Sequence, residues 1–252
     1  MPIIKTSALE MIKIIAARVG LADVSTIEDI STSENRLLLA SLNAANTKII
    51  TSYMWNELVR RASFTADESK EGGYDSAVGG YNLDKVAPGF LGFMNKYILF
   101  ETTNQICSFA MMDEYLASFT KPSIYKKFVI KQNCVCFLNP QPSETEICTF
   151  HYRTIFSVMS NNGALATETN EFRLNEDTWI LNDQLLIQAA VLEYKQNKGI
   201  PSQVDATNYQ QLLNSIRDSN AADAILGEYP SNAEWAFKMS ATKDSFQSSS
   251  EV

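Results

Sequence analysis

The hydrophobic spacing of this chain changes period near Tyr81 and changes back after about Arg173, and that alternation bounds the fold more tightly than any single motif. On both flanks apolar residues recur every three or four positions, the step of an amphipathic helix. Between them the apolar residues fall into short β-prone runs broken by turn residues: Tyr97-Ile98-Leu99-Phe100, Ile106 to Phe109, Lys127 to Lys131, Cys134 to Leu138, and Glu146 to Phe156. The pattern predicts an α+β protein: mainly a helical bundle of two N-terminal and two C-terminal helices, with an inserted small antiparallel β-sheet or sandwich and an extended C-terminal tail. The expected boundaries are 1–65 for the first helices, 66–178 for a loop and the β-module, 179–220 for the closing helices and 221–252 for the tail.

Ser7-Ala8-Leu9-Glu10 has the form of a capping box, and Leu9, Ile12, Ala16 and Val19 keep helical spacing until Gly20, a C-terminal stop. A second box, Ser31-Thr32-Ser33-Glu34, opens a longer stripe through Leu38, Leu42, Ala45, Ile49 and Tyr53, with Trp55 and Leu58 adding a further apolar patch. This helix is expected to reach about Arg61. The run from Ala66 to Gly80 is polar and Gly-rich and predicts an exposed loop. The clearest hairpin joins the Cys134 to Leu138 strand to Ile147 to Tyr152, across a turn that holds Pro140 and Pro142. Helix resumes after Asn182, a good N-cap, and stops at Lys198-Gly199-Ile200-Pro201; Ser202 caps another helix over about residues 203–218. These two closing helices are expected to pack on the two opening ones. Beyond them Tyr229, Trp235, Phe237, Met239 and Phe246 are scattered among small and polar residues, which predicts a segment that orders on another protein's surface.

At 252 residues, with 45% apolar and 20% charged residues, the chain can build one sizeable core or two modest ones. Its formal charge of −8 and pI near 4.8 disfavour tight nucleic-acid binding, which depends on Lys and Arg displacing counterions. An acidic wall would instead let DNA slide past. The four cysteines, Cys107, Cys134, Cys136 and Cys148, sit in apolar segments and read as buried thiols of a reducing compartment. No signal-like start and no apolar run of about 20 residues occurs, so the expectation is a chain made and kept in a cytoplasm, with no membrane partner.

Groups able to exchange protons or bind metals are few. His151 is the single histidine, and on its strand Cys148, Phe150 and Tyr152 share the apolar face, which sends His151 outward with Thr149 and Arg153. Cys134 and Cys136 share a strand face, but no second Cys or His pair completes a zinc set. No phosphate-cradling loop, nucleophile elbow or zinc-protease helix motif is present. The carboxylate pairs Asp113 with Glu114 and Glu144 with Glu146 read as solvated surface rather than as a glycosidase acid and nucleophile. The sequence therefore predicts no catalytic residue, no cofactor and no metal.

Several stretches, in this order, resemble the head-to-tail connector or tail-adaptor proteins of tailed phages, of the P22-like podovirus type. They are Trp55-Asn56-Glu57-Leu58-Val59-Arg60-Arg61 with Phe64-Thr65; Tyr81-Asn82-Leu83-Asp84, with Asp84 where the family usually has proline; Tyr125 to Ile130; Cys134 to Leu138 with Pro140 and Pro142; Phe150-His151-Tyr152-Arg153; Trp179-Ile180-Leu181 with Leu185-Leu186-Ile187; then Lys198-Gly199 and Tyr209 to Leu213. The resemblance covers about residues 32–218. It implies a structural, non-enzymatic virion protein of the neck, present in the host cytoplasm during assembly. It further implies a ring, commonly twelve-fold, that binds the portal protein on one side and a distal tail or nozzle protein on the other, and lines a channel through which double-stranded DNA passes without specific binding. In such proteins an extended C-terminal segment often grips the portal; here that segment is Ala221 to Val252, with Tyr229, Trp235, Phe237 and Phe246 as anchors. Two alternatives remain open: a stopper or tail-tube component of the virion, which should be mostly β, and a virion-associated peptidoglycan hydrolase, which needs a carboxylate of raised pKa in a cleft.

Overall fold

The computed structural model describes residues 5–27, 32–65, 74–75, 80–118, 126–131, 135–139, 141–161, 166–200 and 202–226. Contacts divide the chain into two compact units, Met1–Pro201 and Ser202–Val252.

Three helices form one layer of the first unit. In α1 (Ala8–Val19) the Ser7 hydroxyl accepts from the Glu10 amide, and Gly20 closes the other end at φ 77°, a left-handed conformation that costs glycine nothing. In α2 (Ser33–Ser52) the Thr32 hydroxyl accepts from the Asn35 amide. The helix stops well short of Arg61. Tyr53 turns extended, and the buried Trp55 indole folds back to donate to the Ile49 carbonyl at 2.9 Å, satisfying one of the last orphan acceptors of the helix. The Trp55-Leu58 patch is thus a corner that closes α2 and redirects the chain. In α5 (Asp183–Asn197) the Asn182 side chain caps the amides of Gln184 and Leu185. It packs on α1 and α2, burying Leu185, Leu186, Ile187, Ala190 and Val191.

The remaining mass is a sheet much larger than the sequence pattern suggested. Its strands are β1 (Val59–Thr65), β2 (Tyr74–Asp75), β3 (Gly80–Asn82), β4 (Phe90–Phe93), β5 (Tyr97–Phe100), β6 (Gln105–Phe109), β7 (Lys126–Lys131), β8 (Val135–Asn139) and β9 (Ile147–Thr154). They run in the order β1-β9-β5-β6-β7-β8-β3-β2, with β4 beside β5 on the same edge of β9 and one helical turn, α3 (Leu83–Val86), between β3 and β4. The expectation of a helical bundle carrying a small sheet is therefore overturned: a nine-stranded curled sheet dominates the molecule. Each strand is short and looks weak alone; pairing across long sequence separations gathers them into one structure.

Phe64 of β1 and Tyr81 of β3 stand 4.5 Å apart between ring centroids although they come from opposite ends of the strand order. The sheet has therefore curled until its two edges nearly meet. Phe64, Tyr81, Ile98, Phe100, Cys107, Phe128, Cys136, Cys148 and Phe150 project inward as one cluster. Gly80 permits the close approach of β3 to β8, because a Cβ there would lie 2.8 Å from the Cys136 carbonyl oxygen.

Two further expectations are corrected. The sheet is not purely antiparallel: β6 and β7 are parallel, joined by a crossover that contains α4 (Met112–Ser118), whose Tyr115 packs with Ala110 and Val129. The Cys134 to Leu138 and Ile147 to Tyr152 strands do not form a hairpin. Strand β8 pairs with β7 and β3, while β9 pairs with β1, β4 and β5. Pro142 cannot donate a ladder bond, and the connection carries the chain to the other side of the sheet rather than back along β8. Pro140, like Cys134 and Tyr125, lies outside the described residues.

A second, three-stranded sheet, unforeseen in the sequence, links sheet and helices: β11 (Ala166–Thr169), β10 (Val158–Asn161) and β12 (Thr178–Trp179). Two asparagines of α2 clamp it. Asn46 Oδ1 accepts from Ser157 Oγ and Trp179 Nε1, both at 2.8 Å, while Asn46 Nδ2 donates to the Asn170 carbonyl at 2.9 Å. Asn43 accepts from the Phe172 amide at 2.8 Å and donates to its carbonyl at 3.3 Å. Asp177, fully buried, accepts from Ser160 Oγ and from the amides of Arg173 and Leu174. In the second unit α6 (Gln203–Leu226) is capped by Ser202, whose hydroxyl accepts from the Asp205 amide, and it runs past residue 218, where the sequence pattern ended it.

Candidate interaction surface

The inward face of the curled sheet gathers three cysteines, and burial decides their chemistry. Desolvation pushes the Cys107 and Cys136 thiols far up, and the Cys148 thiol up to about 12, with neighbouring thiols and, for Cys148, the Glu146 carboxylate pushing the same way. A thiol of that kind is protonated at neutral pH and is a poor nucleophile. Alkylation with iodoacetamide at pH 7.5, followed residue by residue by mass spectrometry, is expected to leave Cys107, Cys136 and Cys148 at least tenfold slower in the native protein than in urea. Equal rates in both conditions would refute the sealed interior.

His151 lies half-buried on the outer face of β9, opposite Arg61 of β1. Desolvation, and then the Arg61 guanidinium, lower its pKa below the usual imidazole value, so the ring is neutral at pH 7. Its expected outward neighbour Thr149 is only 4% exposed. Arg61 pairs with Glu101, which lies beside Ile147 on the far side of β9, so this ion pair spans the outer face over Thr149. Arg153 donates to the Tyr53 carbonyl at 2.8 Å, and Arg60 pairs with Glu168 at 2.6 Å, joining the large sheet to the α2 corner and to β11.

Burial parts one of the two carboxylate pairs. Glu144 is exposed, whereas Glu146 is buried and accepts from the amides of Thr102 at 2.8 Å and Thr103 at 3.3 Å, capping the β5–β6 turn. Asp113 and Glu114 are exposed in the first turn of α4. Among the described residues no three His, Cys, Asp or Glu side chains are placed to hold a metal ion, and no helix is long and apolar enough to cross a membrane.

The surface feature that stands out is apolar. Ile106, Phe109, Met111 and Leu116 fall within one run across β6 and α4, and all are exposed, Met111 at 75% and Leu116 at 56%. Alternation puts Ile106 and Phe109 on opposite faces of β6, with the Phe109 ring 5.5 Å from that of the inward Phe128 between centroids, so the run does not form one continuous surface. In the sequence Ile106 to Phe109 has the form of a strand, and Met111, Met112 and Leu116 stand among Asp113 and Glu114, a stretch too apolar for an ordinary turn. The predicted portal-contacting residues Tyr229, Trp235, Phe237 and Phe246 lie outside the described residues, as does the rest of the tail after Leu226. Compared with models of known protein families and with curated proteins, the chain finds no match in either.

Proposed function

We propose that this chain is a structural subunit of a tailed-phage neck: a head-to-tail adaptor that forms a ring between the portal and a distal tail or nozzle protein. One observation carries the reading. The stretches that resemble the family fall on successive elements of the fold: α2 and the Trp55 corner leading into β1, the β-module, then α5 capped by Asn182 and α6 capped by Ser202. The reading rests on that order and not on the relative size of sheet and helices. The side-chain clamps between the helices and both sheets make the first unit stiff, which suits a part that must hold a fixed place in a symmetric ring. A net charge of −8 per chain, repeated around a channel, would repel the DNA that passes through it.

The dominance of the nine-stranded sheet favours a stopper or tail-tube subunit as the second reading. Negative-stain microscopy of the protein, alone and mixed with portal rings, separates the two. An adaptor should give rings, commonly twelve-fold, that seat on the portal, whereas a tail-tube subunit should stack on itself and leave portal rings bare. A monodisperse monomer that leaves portal rings unchanged would overturn both.

A further inference from the structure

We infer that the β1–β9 pairing is an acid-sensitive junction, in which a proton taken up by His151 loosens the edge strand β1 from the large sheet. Register sets His151 directly opposite Arg61, and side chains so placed in an antiparallel pair stand about 5 Å apart on one face. Arg153, two residues on along β9, shares that face. An imidazolium there would stand in a row of cations with Arg61 and Arg153, whereas a neutral ring adds no charge to it.

Among the described residues, register and hydrogen bonding bring His151 no carboxylate of its own. On one side Met94, just past β4, donates its amide to the His151 carbonyl at 3.0 Å, and along β9 the other neighbour on the face is the uncharged Thr149. Glu101, just past β5, is engaged by Arg61, and Arg153 donates to the Tyr53 carbonyl at 2.8 Å. Arg61 is 61% exposed, so salt weakens the repulsion, while half-burial of the imidazole keeps it from being screened away. Burial and the Arg61 guanidinium both hold the His151 pKa below the ordinary imidazole value. As the pH falls through that ordinary value the unfolded chain therefore takes up a proton that the native state resists, and stability drops until the native ring is charged too. Strand β1 is the part that yields, because β9 is its only strand partner among the described residues, whereas β9 is held on both edges.

The chain has one histidine, so the untagged full-length protein gives one imidazole signal by proton NMR. Its midpoint should lie below 6.5, the ordinary value, and R61Q should raise it. Hydrogen exchange with mass spectrometry reads the strand itself. Corrected for the intrinsic effect of pH, exchange of the β1 amides relative to those of α5 should be about threefold or more faster at pH 5.5 than at pH 7.5, and in H151Q it should not change between the two. Carboxylates that titrate in acid are common to both proteins and cancel in that comparison. A parent midpoint at or above 6.5, a midpoint unmoved by R61Q, or β1 exchange that rises equally in parent and H151Q would overturn the inference; should H151Q fail to fold, the parent and R61Q titrations still decide it.

Discussion

Replacing Trp179 with alanine is expected to lower the unfolding free energy by about 3–5 kcal/mol, the cost of emptying the site of a large buried aromatic. Trp179 has no solvent exposure, and β12 pairs it with Val158. Its indole Nε1 donates at 2.8 Å to Asn46 Oδ1, which also accepts from Ser157, so this side chain ties α2 to the three-stranded sheet. Trp179→Phe keeps most of the apolar area and removes the donor, and should cost only about 1 kcal/mol beyond the small loss of volume. Urea unfolding checks both: the midpoint should fall with the slope unchanged, and far more for alanine than for phenylalanine. Two variants of equal stability would mean that neither the cavity nor the asparagine clamp matters.

The second large effect is expected at Phe150, in the middle of β9. That strand pairs along its whole length with β1 on one side, and with β4 and β5 in turn on the other. The Phe150 ring is buried, with centroids of Phe93 at 4.9 Å, Tyr152 at 5.9 Å, Phe64 at 6.1 Å and Phe90 at 6.4 Å. Phe150→Ala should cost about 3–5 kcal/mol, and for a chain of this length that lowers the melting temperature by roughly 10 °C. Phe150→Leu refills most of the space and should cost less than about 1.5 kcal/mol. A melting temperature within about 2 °C of the parent for Phe150→Ala would show that the curled sheet holds together without its aromatic centre.

The helix ends were legible because their signals are local. Ser7, Asn182 and Ser202 each cap the helix that follows by accepting from an amide two or three residues on, while α2 takes Thr32 as its cap, one residue after the Ser31 at the head of the expected capping box. Strands β5, β6, β7 and β9 were visible to within a residue or two, as short β-prone runs. The end of α2 was misread, because apolar residues continue at helical spacing through Trp55 and Leu58. What breaks the helix is an indole donating back to Ile49, a contact that spacing cannot show. Strand β1 was lost to the same extrapolation, although Ala62 and Phe64 alternate as a strand should.

Of the candidate surface, the sequence contained the residues but not their exposure. Leu99, Ile106 and Val129 look alike in a β-prone run; Val129 packs against Tyr115 of α4, and Ile106 is left exposed. Glu146 likewise reads as a surface acid until the β5–β6 turn is placed over it.

By itself the chain determined most of its helix caps, its acidity and the burial of Cys107, Cys136 and Cys148, because each depends on neighbours a few residues apart or on bulk composition. Only the tertiary structure decided that nine strands form one curled sheet, that β6 and β7 run parallel, that β8 and β9 part company, and that β6 and α4 keep apolar side chains in water. Those outcomes are set by pairing between residues far apart in sequence, where many registers bury similar area and only the assembled whole selects among them.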